Sequence, residues 1–175
     1  PDKPVTESAV VAQEPELQQP EPPQSLAENY HITNEALGVG SPKTKFAYNV
    51  AAIQLLKQIE AENRQATPEE QEILANYVGW GGIPQAFDRE NADWAQEYVQ
   101  LRTLLTTEEY AAARASTLNA HYTSPVVIQA MYSALEQMGF RNGNVLEPAC
   151  GIGNFFGMLP ESMQGSRLYG VELDS

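Results

Sequence analysis

Apolar residues recur at three- and four-residue steps from residue 42 onward. Phe46, Val50, Ile53, Leu56 and Ile59 mark one face of a long helix, opened by the cap-and-proline pair Ser41-Pro42. A second helix is announced by 67-TPEE-70, with threonine at the cap, proline next and glutamate three residues on, a capping box. Ile73, Leu74, Tyr77 and Val78 form its expected stripe, and 79-GWGG-82 its end. Trp94, Tyr98, Leu101 and Leu105 predict a third helix. A fourth begins after Thr106 or Thr107 and runs through 108-EEYAAARAS-116.

The pattern changes at 120-AHYTSP-125. Ser124-Pro125 repeats the cap-and-proline signal, and Val127, Ile128, Met131, Leu135 and Met138 predict the buried face of a helix that Gly139 stops. A short apolar strand then ends at Glu147. It runs into a Gly-x-Gly turn, a helix over about 153–159, and a second strand over 167–173. The order helix–strand–helix–strand predicts the opening of an α/β fold with parallel strands.

Composition shifts this picture at one end. Residues 1–29 are rich in Pro, Glu and Gln, with six prolines by position 23, and carry no periodic apolar pattern. Such a segment buries too little surface to offset its ordering entropy, so it is expected to be a disordered linker. The expected division is therefore 1–29 linker, 30–119 helical region and 120–175 the α/β part. No stretch is long and apolar enough for a membrane span, and no signal peptide is evident. The single cysteine, Cys150, excludes an internal disulfide and fits a reducing, cytoplasmic compartment. Two distant histidines offer no metal-site spacing.

The net charge is −13, of which residues 1–30 contribute −5 and residues 31–175 the remaining −8. An acidic chain is poorly suited to grip a polyanion, so any DNA contact is expected through regions outside this chain. Lys43 and Lys45 beside Phe46 are too few to form a nucleic-acid patch.

The stretch 144-NVLEPACGIGNFFGMLP-160 carries the chemistry. A helix from Pro125 that spans about 20 Å at ~1.5 Å per residue can return over the sheet, bringing Tyr122, Thr123 and Ser124 to the carboxyl end of the first strand. Open α/β sheets bind ligands there. Gly151, Gly153 and Gly157 also fit a dinucleotide pattern, which alone is weak. Glu147 discriminates: a carboxylate at the strand end repels a pyrophosphate and attracts a cationic ligand such as S-adenosylmethionine. Glu172, 19 residues after Gly153, stands where a ribose hydroxyl finds its acceptor.

The run 145-VLEPACGIGNF-155 resembles the cofactor motif of adenine-N6 DNA methyltransferases, acid-Pro-x-Cys-Gly-x-Gly-x-Phe. Upstream, 121-HYTSP-125 resembles the Tyr/Thr-Ser/Thr-Pro motif that precedes it there, and 169-YGVELD-174 the acidic ribose motif. The stretches 41-SPKTKFAYN-49, 77-YVGWGGIPQAFD-88 and 109-EYAAARASTLNAHYTSP-125 resemble the large methylase–helicase proteins of conjugative transposons and phages, so the likeness covers roughly residues 30–175.

The resemblance implies a mostly helical region followed by the incomplete start of a Rossmann-like, S-adenosylmethionine-dependent methyltransferase fold. It implies that Glu147, with Pro148, Ala149 and Cys150 in the same motif, faces the methionine end. Gly151 and Gly153 let the backbone approach the cofactor, and Phe155 packs nearby. Glu172 holds the ribose with Leu173 beside the adenine, while Tyr122, Thr123 and Ser124 close over the methionine group. Those proteins continue into an Asn-x-Pro-Phe-like catalytic motif and a helicase. No Asn/Asp-Pro-Pro-Tyr/Phe element occurs in this chain, so it has no expected catalytic residue and is not expected to methylate alone.

Other readings stand beside these. The loop belongs either to a cofactor-binding segment, to an interaction module in which it is vestigial, or to a nicotinamide-dependent oxidoreductase. Cys150 is expected to be a small residue in a tight loop rather than a nucleophile. His121 is either a loop hydrogen-bonding residue or a neighbour of the cofactor. Trp80 is expected to pack on the core, with an aromatic platform for a base as the other reading. Two strands with open edges also predict self-association or partial disorder near 165–175.

Overall fold

Ser41 accepts the Thr44 N–H on its side chain at 3.2 Å, Pro42 follows, and the chain enters a 21-residue helix, α1 (Pro42–Glu62). The structure is a computed structural model and describes residues 30–34, 36–118 and 122–172. The expected linker over 1–29 lies outside the described residues. Phe46, Val50 and Ile59 are buried as the periodicity predicts, whereas Leu56 stays exposed where the neighbouring helices leave α1 uncovered.

The second helix, α2 (Pro68–Ala75), opens with the predicted capping box: Thr67 accepts the Glu70 N–H and Glu70 accepts the Thr67 N–H at 2.9 Å. It ends sooner than its apolar stripe suggests. In a continuing helix the Val78 N–H would bond the carbonyl of Leu74. It donates instead to Asn49 Oδ1 at 2.8 Å, and Tyr77 and Val78 leave the helix before the glycines are reached.

Two short 3-10 segments (Pro84–Phe87 and Ala92–Trp94) lead into α3 (Ala95–Leu104) and α4 (Thr107–Ser116). Thr106 caps α4 with a second capping box through Glu109. These elements enclose one aromatic core of Phe46, Trp80, Phe87, Trp94, Leu101 and Tyr110 with their smaller neighbours. Trp80 is 1% exposed and meets Phe46, Tyr77 and Phe87 edge-on at 5.3–6.4 Å between ring centres. An indole so enclosed has no free face for a base. The core reading of 79-GWGG-82 therefore holds, although its glycines do not end the helix.

The remainder builds a second core. Helix α5 (Pro125–Gln137) precedes β1 (Asn144–Glu147), a four-residue α6 (Asn154–Gly157) and β2 (Arg167–Gly170). The strands pair in parallel, with Val145 opposite Leu168 and Leu146 opposite Tyr169. The chain is thus mixed α/β, mostly helical, with a small two-stranded parallel sheet among the described residues. Gly139 sits past the end of α5 with φ +88°, as expected of a left-handed stop.

Three sequence expectations differ here. The buried face of α5 is Ile128 with Tyr132; Val127, Met131, Leu135 and Met138 remain exposed, because only one flank of the helix meets Met158, Leu159, Met163 and Leu168. α6 is four residues rather than about seven. β2 stops at Gly170, because the glycine loop takes over the bonding beyond it: Val171 O accepts the Cys150 N–H at 3.0 Å. Tyr30 and Ile32 also join this core, and the Ile32 N–H donates to the Gly157 carbonyl at 2.7 Å. No helix among the described residues is long and apolar enough to cross a membrane.

Ion pairs join the helical elements. Lys43 reaches Glu97, Lys57 reaches Glu109 at 2.7 Å, and Arg64 grips Glu70 with two nitrogens at 2.6 and 2.7 Å. The Arg64 guanidinium, helped by the Thr67 N–H, holds the Glu70 carboxyl down at about 2 against an ordinary 4.5. A depressed folded-state pKa gives stability that is complete above the unfolded value and lost as pH falls through the folded one. In urea titrations, the wild-type midpoint is expected to exceed that of Glu70→Gln above pH 4.5, with the gap closing as pH approaches 2. A gap independent of pH over that window would refute the assignment.

Candidate functional site

The glycine loop is shaped by its hydrogen bonds. Val171 donates to the Glu147 carbonyl at 3.0 Å and Cys150 donates to Val171 O, so residues 148–153 are laced to the chain leaving β2. Gly153 then turns back by donating to the Cys150 carbonyl at 2.8 Å. Gly151 and Gly153 adopt φ +50° and +78°, a region closed to most side chains, which is why the motif carries glycine at both positions.

This lacing brings the two candidate acids onto one loop. Glu147, half-buried at the end of β1, accepts the Ala149 N–H on Oε1 at 3.3 Å. Glu172, exposed beyond β2, accepts the Gly151 N–H on Oε2 at 2.6 Å. Residues 120–175 contain five acids against Arg141 and Arg167, so the local charge is negative. A cation is favoured at such a loop and a pyrophosphate is not.

Tyr122, Thr123 and Ser124 lead into α5. Tyr122 is half-buried, with its ring against Gly151: a Cβ built on that glycine would lie 2.8 Å from the ring. Thr123 and Ser124 are exposed. Ser124 holds the cap position but its side chain makes no cap hydrogen bond; only its carbonyl receives the helix N–H groups. Pro148 and Ala149 are exposed on the loop. Cys150 is half-buried over Gly170, where a Cβ would come within 3.0 Å of its sulfur, a tight-packing position that suits a small residue. Phe155 points inward, its ring 6.3 Å from that of Tyr132. Gly157 lies against Ile32. Leu173 and His121 lie outside the described residues.

The space around the loop is uneven. A Cβ on Gly153 would meet nothing within 4 Å, so the backbone is open there to a close-lying ligand. A groove of about 340 Å³ runs beside it between α2 and α6, lined in part by Ile32, Leu74, Gly153 and Asn154. Glu147, Glu172 and Tyr122 do not line that groove. No group of three His, Cys, Asp or Glu suited to a metal occurs among the described residues.

Two residues that shape the site escaped the sequence reading. Tyr132 of α5 donates its hydroxyl to the Phe155 carbonyl at 2.6 Å, tying α5 to the helix that follows the loop. Burial, and secondarily the Glu147 carboxylate, push that hydroxyl up to about 12, so it stays protonated at neutral pH. The usable signal was its place four residues after Ile128 on an apolar helix. Asn49 is the other, a fully buried polar side chain on the core face of α1, where its spacing from Phe46 and Val50 was the signal.

Compared with known proteins, the chain matches no family model, no curated protein and no solved structure. The site therefore stands on its own geometry. Removing the Tyr132 hydroxyl leaves the Phe155 carbonyl without its side-chain donor while keeping the ring. Tyr132→Phe is expected to lose about 1–3 kcal/mol of stability in urea unfolding, with its far-ultraviolet dichroism unchanged. An unaltered midpoint would show that the bond contributes nothing.

Proposed function

We propose that this chain is the S-adenosylmethionine-binding portion of a DNA adenine-N6 methyltransferase, within a larger methylase–helicase protein of a mobile element. The two-stranded parallel sheet is, on this reading, the start of a Rossmann-like domain. One observation carries the proposal: Glu147 and Glu172, 25 residues apart, are joined to the same glycine loop, one through Ala149 and one through the Gly151 N–H.

The residues present fit that cofactor. Gly153 leaves open space beside the backbone, and a half-buried carboxylate at the strand end suits an ammonium and a sulfonium. A helix of four residues, by contrast, offers little aligned dipole to a pyrophosphate. Glu147 orients the methionine end and Glu172 accepts from the ribose. Leu173 flanks the adenine, while Tyr122, Thr123 and Ser124 cover the methionine group. When bound, S-adenosylmethionine supplies an electrophilic methyl group for direct displacement. The chain's own part is positioning and electrostatics. Methyl transfer requires an amide-bearing catalytic element that these residues do not contain, and DNA is gripped through other regions.

Isothermal titration of the full chain tests this with S-adenosylmethionine, S-adenosylhomocysteine and NADH. Both nucleosides are expected to bind and NADH is not. Glu147→Gln is expected to weaken S-adenosylmethionine more than S-adenosylhomocysteine, since only the former carries the sulfonium. One charge pair at contact is worth about 1 kcal/mol even in water-like surroundings, roughly fivefold in affinity. Absence of heat with either nucleoside at millimolar concentration would favour the interaction module; NADH binding alone would favour the oxidoreductase.

The proposal includes a second copy of the chain as partner. Each strand has one neighbour among the described residues, and Leu146 and Tyr169, paired across the sheet, are 62% and 48% exposed. The charge of −13 opposes association. The mass measured by light scattering is therefore expected to rise with protein concentration, and further as added salt screens the repulsion. A monomer at every salt concentration would remove this partner.

A further inference from the structure

We infer that Gly79 is a positioning residue for the glycine loop, acting through the ring of Tyr122. The inference rests on the proposed cofactor reading and extends it to a segment, 79-GWGG-82, for which that reading has no role. A Cβ built on Gly79 would lie 2.4 Å from Cε2 and 2.9 Å from the hydroxyl oxygen of Tyr122. A Cβ built on Gly151 would lie 2.8 Å from Cε1, across the same ring. The ring is therefore held between two backbones that approach it only because both residues are glycine.

Gly79 itself is held firmly. Asn49, fully buried on α1, donates from Nδ2 to the Gly79 carbonyl at 2.7 Å and accepts the Val78 N–H on Oδ1 at 2.8 Å. Trp80 follows, buried in the aromatic core. These contacts fix residues 78–80 on both sides, and φ +67° at Gly79 disfavours any other residue there. A line of contact thus runs from the α1 core through the Gly79 backbone and the Tyr122 ring to Gly151. The Gly151 N–H in turn orients Glu172. In this arrangement the helical region sets where the aromatic cover of the cofactor sits.

The test is a double-mutant cycle on the full chain with Gly79→Ala, Tyr122→Ala and both together, read two ways. Affinity for S-adenosylhomocysteine is measured by titration, and the Gly79 and Gly151 amides are followed by nitrogen–proton correlation spectra. Gly79→Ala is expected to weaken the nucleoside on the order of tenfold in the wild-type background and less than about twofold when Tyr122 is already alanine. The Gly151 amide is expected to move in Gly79→Ala, although the two residues lie far apart in sequence. Tyr122→Ala, which removes a half-buried ring outside the aromatic core, is expected to shift both glycine amides and leave the Trp80 indole signal in place.

Equal losses from Gly79→Ala in the two backgrounds would overturn the inference, as would a Gly151 amide unmoved by Gly79→Ala. If Gly79→Ala does not fold, the Tyr122→Ala spectrum decides: a shift confined to one of the two glycines overturns it. A wild-type chain that binds no nucleoside, yet shows the coupled amide shifts, would leave the positioning intact and remove the cofactor reading.

Discussion

A carboxamide buried in a helix face constrains everything around it. Asn49 is fully enclosed, and each of its polar atoms left without a partner would cost about 1–3 kcal/mol. It finds partners in the Val78 N–H and the Gly79 carbonyl. That one requirement has three consequences. α2 does not resume beyond Ala75: Asn76 and Tyr77 turn onto the carbonyls three residues back, and the Val78 N–H that would carry the helix on is taken by Asn49. Trp80, the next residue along, is delivered into the aromatic core. And Gly79, its carbonyl held by Asn49, lies against the ring of Tyr122.

The charge distribution reinforces this framework rather than a polyanion surface. Among the described residues, Lys43, Lys57, Arg64, Arg102 and Arg141 are engaged within the fold. Lys43 meets Glu97, the Asp93 carbonyl and the Trp94 ring; Lys57 meets Glu109; Arg64 meets Glu62 and Glu70. Arg102 stacks on Tyr110, and Arg141 binds the carbonyls of Glu136 and Phe140 at the end of α5. Both capping-box glutamates serve twice, closing their own helix and pairing with a cation from elsewhere in the chain. In a chain of net charge −13, cations held in this way are poorly placed to neutralise phosphates. On the proposed reading, DNA contact therefore falls to other regions.

What could be read from the sequence was what local chemistry decides. The capping box at Thr67, the start of α4 after Thr106, the left-handed stop at Gly139 and the Gly-x-Gly turn at 151–153 each depend on a few neighbouring residues, and all stand where the pattern put them. The parallel pairing of the two strands followed from their order around a helical connection. Contacts between distant segments were not legible. Periodicity put Val127, Ile128, Met131, Leu135 and Met138 on one buried face of α5, but it carries no information on which flank distant segments cover, and of these only Ile128, joined by Tyr132, is buried. Asn49 and Tyr132 act on residues 29 and 23 positions away, and no spacing rule reaches that far. Of the candidate site, the acids and glycines were legible as a motif, but the Glu172–Gly151 bond that unites them was not.

That bond bears on how the proposed site would take its ligand. At first sight a Glu172 carboxylate already bonded to the Gly151 N–H competes with a ribose. A carboxylate, however, has about four acceptor positions on its two oxygens, and one N–H uses a single one of them. The bond therefore orients the acid without saturating it. It also couples the acid to the loop: Val171, one residue earlier, is tied to Glu147 and Cys150 on either flank of the same turn. Glycine backbone and acceptor are thus fixed relative to each other before any ligand arrives. Ordering them in advance removes part of the entropy that binding would otherwise lose. The acid that would read the ribose and the loop that would approach the methionine form one hydrogen-bonded unit, with the Tyr122 ring packed against its glycine.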